Sequence, residues 1–315
     1  MLPVVVIGAG IAGVSCAREL TAHGIPVQVR ERSHVPGGRL ASRTLDGRKV
    51  DLGASYLTCR TPEFQQVVDS WLDRGLARRW TGRFAVRDAG GWRESQPGPV
   101  RYGATGGLRS LVEDLAAGLD VATRTEVAGV GPGPTVDGDR AGAVVLAMPD
   151  PQASDLLAVE LAAEVEAVRD RESLPALALA AGWPRREWPD VDGVFVNDDP
   201  VLSWVADDGR RRGDGAAVLV AHTTADFAGL HLDRPGAATE PALAALLRVM
   251  EIDSRPDWVH LQRWSLSRPA QPHDEPCHLG ETMVGLCGDG WGQPRVETAW
   301  ASGRALGRAL ADRLA

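Results

Sequence analysis

The sequence predicts an α/β protein that opens with a nucleotide-binding βαβ unit, and three features of its first residues carry this prediction. Val4–Ile7 is a short β-branched run without polar alternation, as a parallel strand covered on both faces requires. A glycine-rich turn follows and leads into a helical stretch that ends near His23. A second apolar strand at 26–30 closes on Glu31, which completes the unit.

The chain length and composition describe a folded protein of about two domains. It has 315 residues, of which 44% are hydrophobic and 24% charged. The net charge of −8 argues against a general nucleic-acid binder, which needs a basic face for phosphates. No run of 18 apolar residues occurs, so we expect no membrane partner and a cytoplasmic location. The four cysteines form no CxxC pair and the histidines are scattered, so we expect reduced thiols and no metal site.

The rest of the chain divides into predicted helices, strands and turns. Apolar periodicity predicts helices at 62–72, from 105 onward, at 155–171, at 241–250 and at Val296–Leu314. Buried-type strands are predicted at 143–148 and 283–287, and further strands at 195–196, 202–205 and 218–221. The segment 129–142 is rich in glycine, proline and aspartate and is typical of turns, while the arginine run at 210–212 is expected in a solvated loop.

The glycines after the first strand form a dinucleotide-binding fingerprint. Gly8, Gly10 and Gly13 follow a strand, open a helix and precede an acidic residue about 20 positions on. Gly8 permits the tight turn, Gly10 lets the backbone approach a pyrophosphate, and Gly13 allows close packing of helix and strand. We expect Glu31 to accept hydrogen bonds from an adenosine ribose.

Two further elements favour FAD over a nicotinamide cofactor. Gly38 and Arg39 follow the βαβ unit, and an arginine fork can hold the longer pyrophosphate-bridged cofactor. Near the other end of the chain, Asp289 lies between two glycines, after a strand and before a helix. Asp289 could accept from ribityl hydroxyls, and the backbone near Val296 could face the flavin pyrimidine.

Seven stretches of the chain together resemble the FAD-dependent amine-oxidase-like superfamily and, within it, the renalase-like members. These stretches are 8–13, 37–39, 50–59, 145–149, 221–224, 262–264 and 287–290. The resemblance implies a discontinuous Rossmann-type FAD-binding domain with an α+β substrate domain. The FAD-binding domain would comprise 1–60, 101–150 and 265–315, and the substrate domain 61–100 and 151–264.

The resemblance also implies a cofactor, a set of contacts and a reaction. The cofactor is noncovalent FAD, and its contacts would be Gly8, Gly10, Ala12, Gly13, Glu31, Arg32, Gly38, Arg39, Ser55, Tyr56, Val127, Asp289 and Val296. Tyr56, His222 and Trp291 would line the catalytic cavity. The implied substrate is a 2- or 6-dihydro isomer of NAD(P)H, oxidised by hydride transfer to flavin, with dioxygen reduced to hydrogen peroxide.

The sequence departs from the family pattern at three places near the implied substrate. Ser55 stands where a glutamine is common, and Ser265 where an arginine often occurs. Asp207 or Asp208 aligns with an expected asparagine, so a carboxylate there would change the charge of the pocket.

The sparse lysine and tyrosine content is an independent guide to the chemistry. Amine oxidases of the superfamily generally carry a lysine that holds water against the flavin, but Lys49 is the sole lysine and precedes the strand at Asp51. Tyr56 and Tyr102 are the only tyrosines, so a paired-tyrosine cage around an amine would have to use both of them or tryptophans. Hydride loss from a neutral dihydropyridine needs no proton removal, so orientation matters more than a general base.

Other interpretations remain open at this point. His222 ends an apolar run and could be a core histidine bonded to backbone, and Trp291 could be an ordinary core aromatic. The protein could also be a flavin amine oxidase or desaturase acting on another small molecule. A third possibility is an FAD-binding scaffold or redox sensor with little turnover, since binding motifs do not prove chemistry.

Overall fold

A computed structural model describes residues 1–94 and 97–315 of the chain. The strands of this described part are β1 (Val4–Ile7), β2 (Val27–Glu31), β3 (Ser42–Leu45), β4 (Arg48–Asp51), β5 (Ala77–Thr81), β6 (Ala85–Asp88), β7 (Gly91–Glu94), β8 (Arg101–Ala104), β9 (Val121–Thr123), β10 (Val130–Gly131), β11 (Thr135–Val136), β12 (Asp139–Arg140), β13 (Ala143–Ala147), β14 (Ser173–Gly182), β15 (Gly193–Val196), β16 (Leu202–Asp207), β17 (Val218–Thr223), β18 (Trp258–Pro269), β19 (His278–Leu279) and β20 (Val284–Cys287). The α-helices are α1 (Ile11–Ala22), α2 (Pro62–Asp73), α3 (Leu108–Ala116), α4 (Asp150–Leu156), α5 (Ala162–Val168), α6 (Asp208–Arg212), α7 (Ala225–Leu230), α8 (Thr239–Met250) and α9 (Val296–Leu314), and a 3-10 helix spans Pro235–Ala238.

The chain folds into two compact units. Unit 1 comprises 1–40, 112–173 and 268–315, and unit 2 comprises 41–111 and 174–267. These boundaries differ from the predicted ones. Residues 41–60 and 101–111 belong to unit 2, because Val50 and Leu52 pack in one apolar cluster with its strands β14 and β17. Residues 151–173 belong to unit 1, because Ala153 and Val168 join the core around β13 and β20.

Unit 1 is built around a largely parallel six-stranded sheet in the order β19-β20-β13-β1-β2-β9. The five strands from β20 to β9 are parallel, and β19 pairs antiparallel with β20 at the edge. Val4–Ile7 and 143–146 are buried, as strands covered on both faces must be. The predicted βαβ opening and the strands near 143–148 and 283–287 are therefore confirmed.

Helix α1 packs closely against α9 in unit 1. A Cβ at Gly303 would lie 1.9 Å from the backbone oxygen of Ala12, so only glycine permits this approach. Glu19 of α1 accepts hydrogen bonds from Arg304 and Arg308 of α9, at 3.0 and 2.8 Å. This close packing holds the start of α1, which directly follows the first residues of the glycine turn.

Unit 2 contains a seven-stranded sheet in the order β18-β14-β17-β16-β15-β6-β7. Its pairs are antiparallel from β14 to β15 and at β6–β7, whereas β15 and β6 are parallel. One face packs Leu179, Leu219 and Ala221 against Leu243 and Leu246 of α8. The opposite face carries His222 and Trp204.

Three local predictions differ from the structure. The helix predicted at 155–171 is instead two short helices, α4 and α5. The backbone is not helical at Leu157, which ends α4, or at Leu161, which precedes α5. The arginine run at 210–212 lies in α6 rather than in a solvated loop, and Arg211 is fully buried. The long strand β18 was not predicted, because its exposed and partly buried residues give little apolar contrast.

None of the helices in 1–94 and 97–315 combines the length and apolar character that a membrane span requires.

Candidate functional site

The glycine turn of unit 1 has the geometry of a phosphate cradle. Gly8 has φ +107°, and a Cβ on it would lie 2.6 Å from the backbone oxygen of Ala147. A Cβ on Gly13 would lie 2.0 Å from the backbone oxygen of Gly8. A Cβ on Gly10 would meet no atom within 4 Å. Gly8 and Gly13 are thus required by internal packing, while Gly10 presents an open backbone.

The open side of this turn coincides with an uncapped helix N-terminus. Gly10 is the N-cap of α1 and supplies no side-chain cap for the amides of the first turn. The second glycine turn lies against the first, because Gly37 donates its N–H to the Ala9 oxygen at 2.9 Å. A Cβ on Gly38, which has φ +53°, would lie 3.3 Å from the Gly10 Cα. Free amides, a helix dipole and a side-chain-free surface fit the pyrophosphate of FAD.

Glu31 holds the first glycine turn in place. Its carboxylate accepts from the Ala9 N–H at 2.8 Å and from the Ser33 N–H at 2.7 Å. The predicted ribose contact of Glu31 stays a prediction, and the structure adds this positioning role. Arg32 is exposed. Its Nη2 and Nη1 atoms donate to the side-chain oxygen of Gln152 at 2.8 and 3.1 Å.

The other predicted cofactor residues of unit 1 occupy defined positions. Ala12 lies buried in the first turn of α1, and Val127 lies in the apolar cluster around β13. Val296 is the first residue of α9. Their contacts with a cofactor stay predictions.

Arg39 and Asp289 form an ion pair, although they are 250 positions apart in the sequence. One guanidinium nitrogen donates to the Asp289 Oδ2 at 3.0 Å, and Nη2 donates to Oδ1. Both were predicted to contact FAD, but at different parts of the molecule. The N–H of Gly288, beside Asp289, donates to Ser302 Oγ at 3.0 Å, which anchors the turn to α9.

Trp291 is buried in unit 1 and stacks on a histidine that the sequence did not single out. Its ring lies parallel to the His273 ring, with centroids 3.7 Å apart. His273 Nε2 lies 2.8 Å from Asp150 Oδ2, and the His273 N–H donates to the Gly290 oxygen at 2.7 Å. Asp150 is distant in sequence, so no local signal could have revealed this cluster. The catalytic role of Trp291 stays a prediction.

In unit 2, His222 lies on one face of the seven-stranded sheet. Residues two apart in a strand share a face, so His222 shares its face with Val218 and Val220, which are buried. Its cross-strand neighbours are Ala178 on β14 and Trp204 on β16. The described neighbours of His222 on this face are therefore apolar.

An aromatic cluster surrounds Tyr56 beside this face. The Tyr56 ring centroid lies 5.2 Å from Phe84, 5.8 Å from Trp204 and 6.3 Å from Trp80. Trp204 Nε1 donates to Ser55 Oγ at 2.9 Å, which joins the predicted Ser55–Tyr56 pair to β16. Phe84, Trp80 and Trp204 were not predicted as site residues, and only strand pairing places Trp204 beside His222. The flavin contacts of Ser55 and Tyr56 stay predictions.

The environment of His222 favours its neutral form. Burial, with the nearby Arg211 guanidinium as a second cause, lowers the pKa of His222 to about 4. Its Nε2 atom is buried and has no hydrogen-bond partner among the described residues. An uncharged imidazole with a free ring nitrogen can donate to, or accept from, a bound molecule according to its tautomer.

We expect the His222 imidazole to stay neutral from pH 8 down to about pH 5. The measurement is an NMR titration of the His222 ring resonance, assigned with His222→Gln. Because its folded pKa lies below the ordinary value of about 6.5, the unfolded chain binds more protons as the pH falls. Stability is thus lost between about pH 6.5 and 4, by about 3 kcal/mol at most. The same resonance should titrate near 6.5 in urea, and a folded-state midpoint above 6 would contradict the expectation.

The two carboxylates expected to change the pocket charge are held in buried ion pairs. Asp207 accepts from Arg186 at 2.8 and 3.0 Å and from Trp188 Nε1 at 2.8 Å. Asp208 Oδ2 accepts from Arg48 at 2.6 Å, and Oδ1 accepts from Arg211. Both carboxylates therefore have arginine partners, and their effect on a substrate pocket stays a prediction.

The remaining polar candidates add no catalytic base. Lys49 is exposed on the β3–β4 hairpin of unit 2. Within the described residues, no group of three or more His, Cys, Asp or Glu side chains could hold a metal ion. The four cysteines are free thiols, and burial raises the pKa of Cys277 to about 11.

Two family descriptions match the chain. Residues 6–71 match an NAD(P)-binding Rossmann-like domain, and residues 87–305 match the flavin-containing amine oxidoreductases. The second match spans well over half of the sequence. The chain belongs to the flavin-containing amine oxidoreductase family. Its members are flavin enzymes, and the predicted α/β fold class with a Rossmann-like domain and a β-sheet substrate domain is confirmed.

Curated relatives in this family are similar over a short segment. The hydroxyneurosporene desaturase of Rubrivivax gelatinosus is 42% identical over 57 residues, which are 18% of this chain and 11% of that protein. The putrescine oxidase of Kocuria rosea is 41% identical over 66 residues, which are 21% of this chain and 14% of that protein. The chain thus matches about an eighth of the length of these relatives.

Solved structures share the fold over the whole chain. Cyclohexylamine oxidase from Brevibacterium oxydans IH-35A superposes with a TM-score of 0.79 at 14% identity, covering 99% of both chains. A putative protoporphyrinogen oxidase from Exiguobacterium sp. 255-15 superposes with a TM-score of 0.79 at 12% identity, also covering 99% of both chains. At this identity the likeness shows the fold alone.

Proposed function

We propose that this family member is an FAD-dependent oxidase that removes a hydride from a neutral donor, a 2- or 6-dihydro isomer of NAD(P)H. The observation that carries the proposal is the uncharged His222 on an apolar, aromatic sheet face of a chain whose single lysine is exposed elsewhere. Such a face suits a flat, neutral ring, and the low pKa of His222 makes its imidazole a weak base for removing a proton from a substrate.

Unit 1 would hold FAD noncovalently. The amides at the start of α1 would bind the pyrophosphate, with Gly10 permitting its close approach and Arg39 supplying a charged fork. Glu31 fixes the cradle through Ala9 and leaves oxygen lone pairs for a ribose hydroxyl. When bound, the flavin accepts the hydride and passes its electrons to dioxygen, which gives hydrogen peroxide.

Unit 2 would supply the groups that orient the donor. Hydride loss from a neutral dihydropyridine gives an aromatic pyridinium directly, so no side chain has to take up a proton. Tyr56 and Trp204 offer ring faces for stacking, and His222 Nε2 offers one hydrogen bond to a carboxamide. Catalysis by this face would consist of orientation and exclusion of water.

A second candidate is a flavin amine oxidase or desaturase for another small molecule. The names of the similar proteins favour it, since putrescine oxidase, cyclohexylamine oxidase and carotenoid desaturases are among them. The cluster of Tyr56, Trp80, Phe84 and Trp204 also favours it, because such rings can surround an amine.

We expect 2- and 6-dihydro NAD(P)H to reduce the flavin at least about 100-fold faster than ordinary 4-dihydro NAD(P)H or any amine, a barrier difference of about 2.7 kcal/mol. The measurement is anaerobic stopped-flow absorbance of the oxidised flavin, with each isomer and with a panel of primary amines and diamines. Rapid reduction by an amine alone would establish the second candidate. If none of these compounds reduces the flavin, the scaffold or sensor interpretation replaces both.

We expect Arg39→Ala to weaken FAD binding by about 10- to 150-fold, because charge-assisted bonds to a phosphate contribute about 1.5–3 kcal/mol. The measurement is the dissociation constant of FAD for the apoprotein, with retained flavin quantified after release by denaturation. Arg18→Ala is the control, since Arg18 is exposed and donates to the Leu115 oxygen at 3.0 Å. An unchanged constant would remove Arg39 from the cofactor site, and flavin that stays attached after denaturation would contradict noncovalent binding.

A further inference from the structure

Arg211 is a fully buried charged residue that contacts the segment carrying Ser55 and Tyr56 in unit 2. It is 0% exposed, and its guanidinium donates to two oxygens of one distant segment. Nη1 donates to the Ser55 oxygen at 3.0 Å, and Nη2 donates to the Asp51 oxygen at 3.2 Å. Both acceptors are backbone carbonyls of the segment 51–56, which carries Ser55 and Tyr56.

The guanidinium itself is held from the other side. Asp208 Oδ1 accepts from Arg211 Nε at 3.1 Å and also from Nη2. Asp208 Oδ2 is bound by Arg48, which also pairs with Asp214. Asp207, the N-cap of α6, accepts from the Arg210 N–H at 2.8 Å and so fixes the helix on which Arg211 stands. Arg211 therefore has a single orientation, set by its own helix.

We propose that Arg211 is a positioning residue of the flavin reaction: it fixes the backbone of the segment 51–56 so that Ser55 and Tyr56 keep their place beside Trp204. The reaction in this statement is that of the proposed function. Arg211 has no role in transferring the hydride or a proton.

An arginine is required for this task because of the number and direction of its donors. The planar fork reaches Asp208, the Asp51 oxygen and the Ser55 oxygen at once, whereas a lysine offers one compact ammonium. Arg211→Lys thus keeps the positive charge and removes the planar set of donors that serves all three acceptors. The charge of Arg211 also contributes to the low pKa of His222, so its retention leaves the His222 environment comparable.

The Trp204 indole reports on this positioning without any substrate. Its Nε1–H bonds to Ser55 Oγ at 2.9 Å, so a displaced Ser55 must change the resonance of that proton. The experiment records ¹H–¹⁵N spectra of the flavin-loaded protein, with the Trp204 cross-peak assigned by Trp204→Phe. Arg255→Lys is the control, because it removes an arginine fork from Glu240 and touches neither α6 nor the segment 51–56.

We expect Arg211→Lys to shift the Trp204 cross-peak and to lower the rate constant of flavin reduction by about 10- to 100-fold. The substrate dissociation constant should change less than about threefold, because orientation rather than affinity is lost. Arg255→Lys should leave the cross-peak in place and the rate constant within about twofold. Rates are measured with whichever isomer or amine reduces the wild-type flavin.

An unmoved Trp204 cross-peak in folded Arg211→Lys overturns the proposal, and so does a moved cross-peak with an unchanged reduction rate. If Arg211→Lys does not fold, Asp208→Asn decides by the same two readouts, since it weakens the hold on Arg211 while keeping an acceptor. If no compound reduces the wild-type flavin, the proposed function fails, and the substrate-free cross-peak still decides whether Arg211 fixes the segment.

Discussion

Replacing Asp208 by alanine should lower the free energy of unfolding by about 3–5 kcal/mol, the cost of removing one partner from a buried ion pair. Asp208 and Arg211 are both 0% exposed, so the variant leaves the Arg211 charge buried without its carboxylate. Arg48 would lose its bond to Asp208 and keep the one to Asp214. The measurement is urea unfolding followed by tryptophan fluorescence.

Asp214→Ala is the control for this prediction. Asp214 also pairs with Arg48, at 2.7 Å, but its side chain is 44% exposed. Exposed ion pairs contribute about 1 kcal/mol or less, so the control should unfold close to wild type. Equal losses of unfolding free energy in the two variants would mean that burial does not determine how much each ion pair contributes.

Alanine at Gly10 and alanine at Gly13 should have opposite consequences. Gly10→Ala should leave stability within about 1 kcal/mol, because φ −73° suits alanine and its Cβ would meet nothing within 4 Å. It should nevertheless raise the FAD dissociation constant by about 100-fold, because the methyl group occupies the side on which the pyrophosphate must approach. Titration of the apoprotein with FAD, beside its urea unfolding curve, measures both quantities.

Gly13→Ala should destabilise the protein itself by about 3 kcal/mol or more. Its Cβ would lie 2.0 Å from the Gly8 backbone oxygen, so β1 and α1 would have to separate. The two variants therefore distinguish a glycine needed for packing from a glycine needed for the ligand. If Gly10→Ala retains FAD with unchanged affinity, the pyrophosphate does not approach this turn.

The sequence was informative about the cofactor cradle because its signal is local. Gly8, Gly10 and Gly13 are required by backbone conformation and close packing within a few residues, and Glu31 follows one strand later. The parallel strands were equally readable, since burial on both faces leaves continuous apolar runs such as Val4–Ile7. These features placed the chain in the correct fold class before any tertiary information.

The predictions that failed depended on the surroundings of a residue. The arginine run at 210–212 looked solvated because the Ser55 and Asp51 oxygens, which accept from Arg211, lie 156 and 160 positions away in the sequence. Burial of a charge depends on partners that only folding brings together.

The sequence by itself determined the α/β class, the glycine cradle and its acidic residue, and the presence of a single lysine. Tertiary structure alone decided that Arg39 meets Asp289, that Trp291 stacks on His273, and that His222 shares its sheet face with Trp204. The backbone conformation of a tight turn depends on consecutive residues, so the sequence shows it directly. The protonation and orientation of a side chain depend on neighbours that strand register and helix packing bring to it.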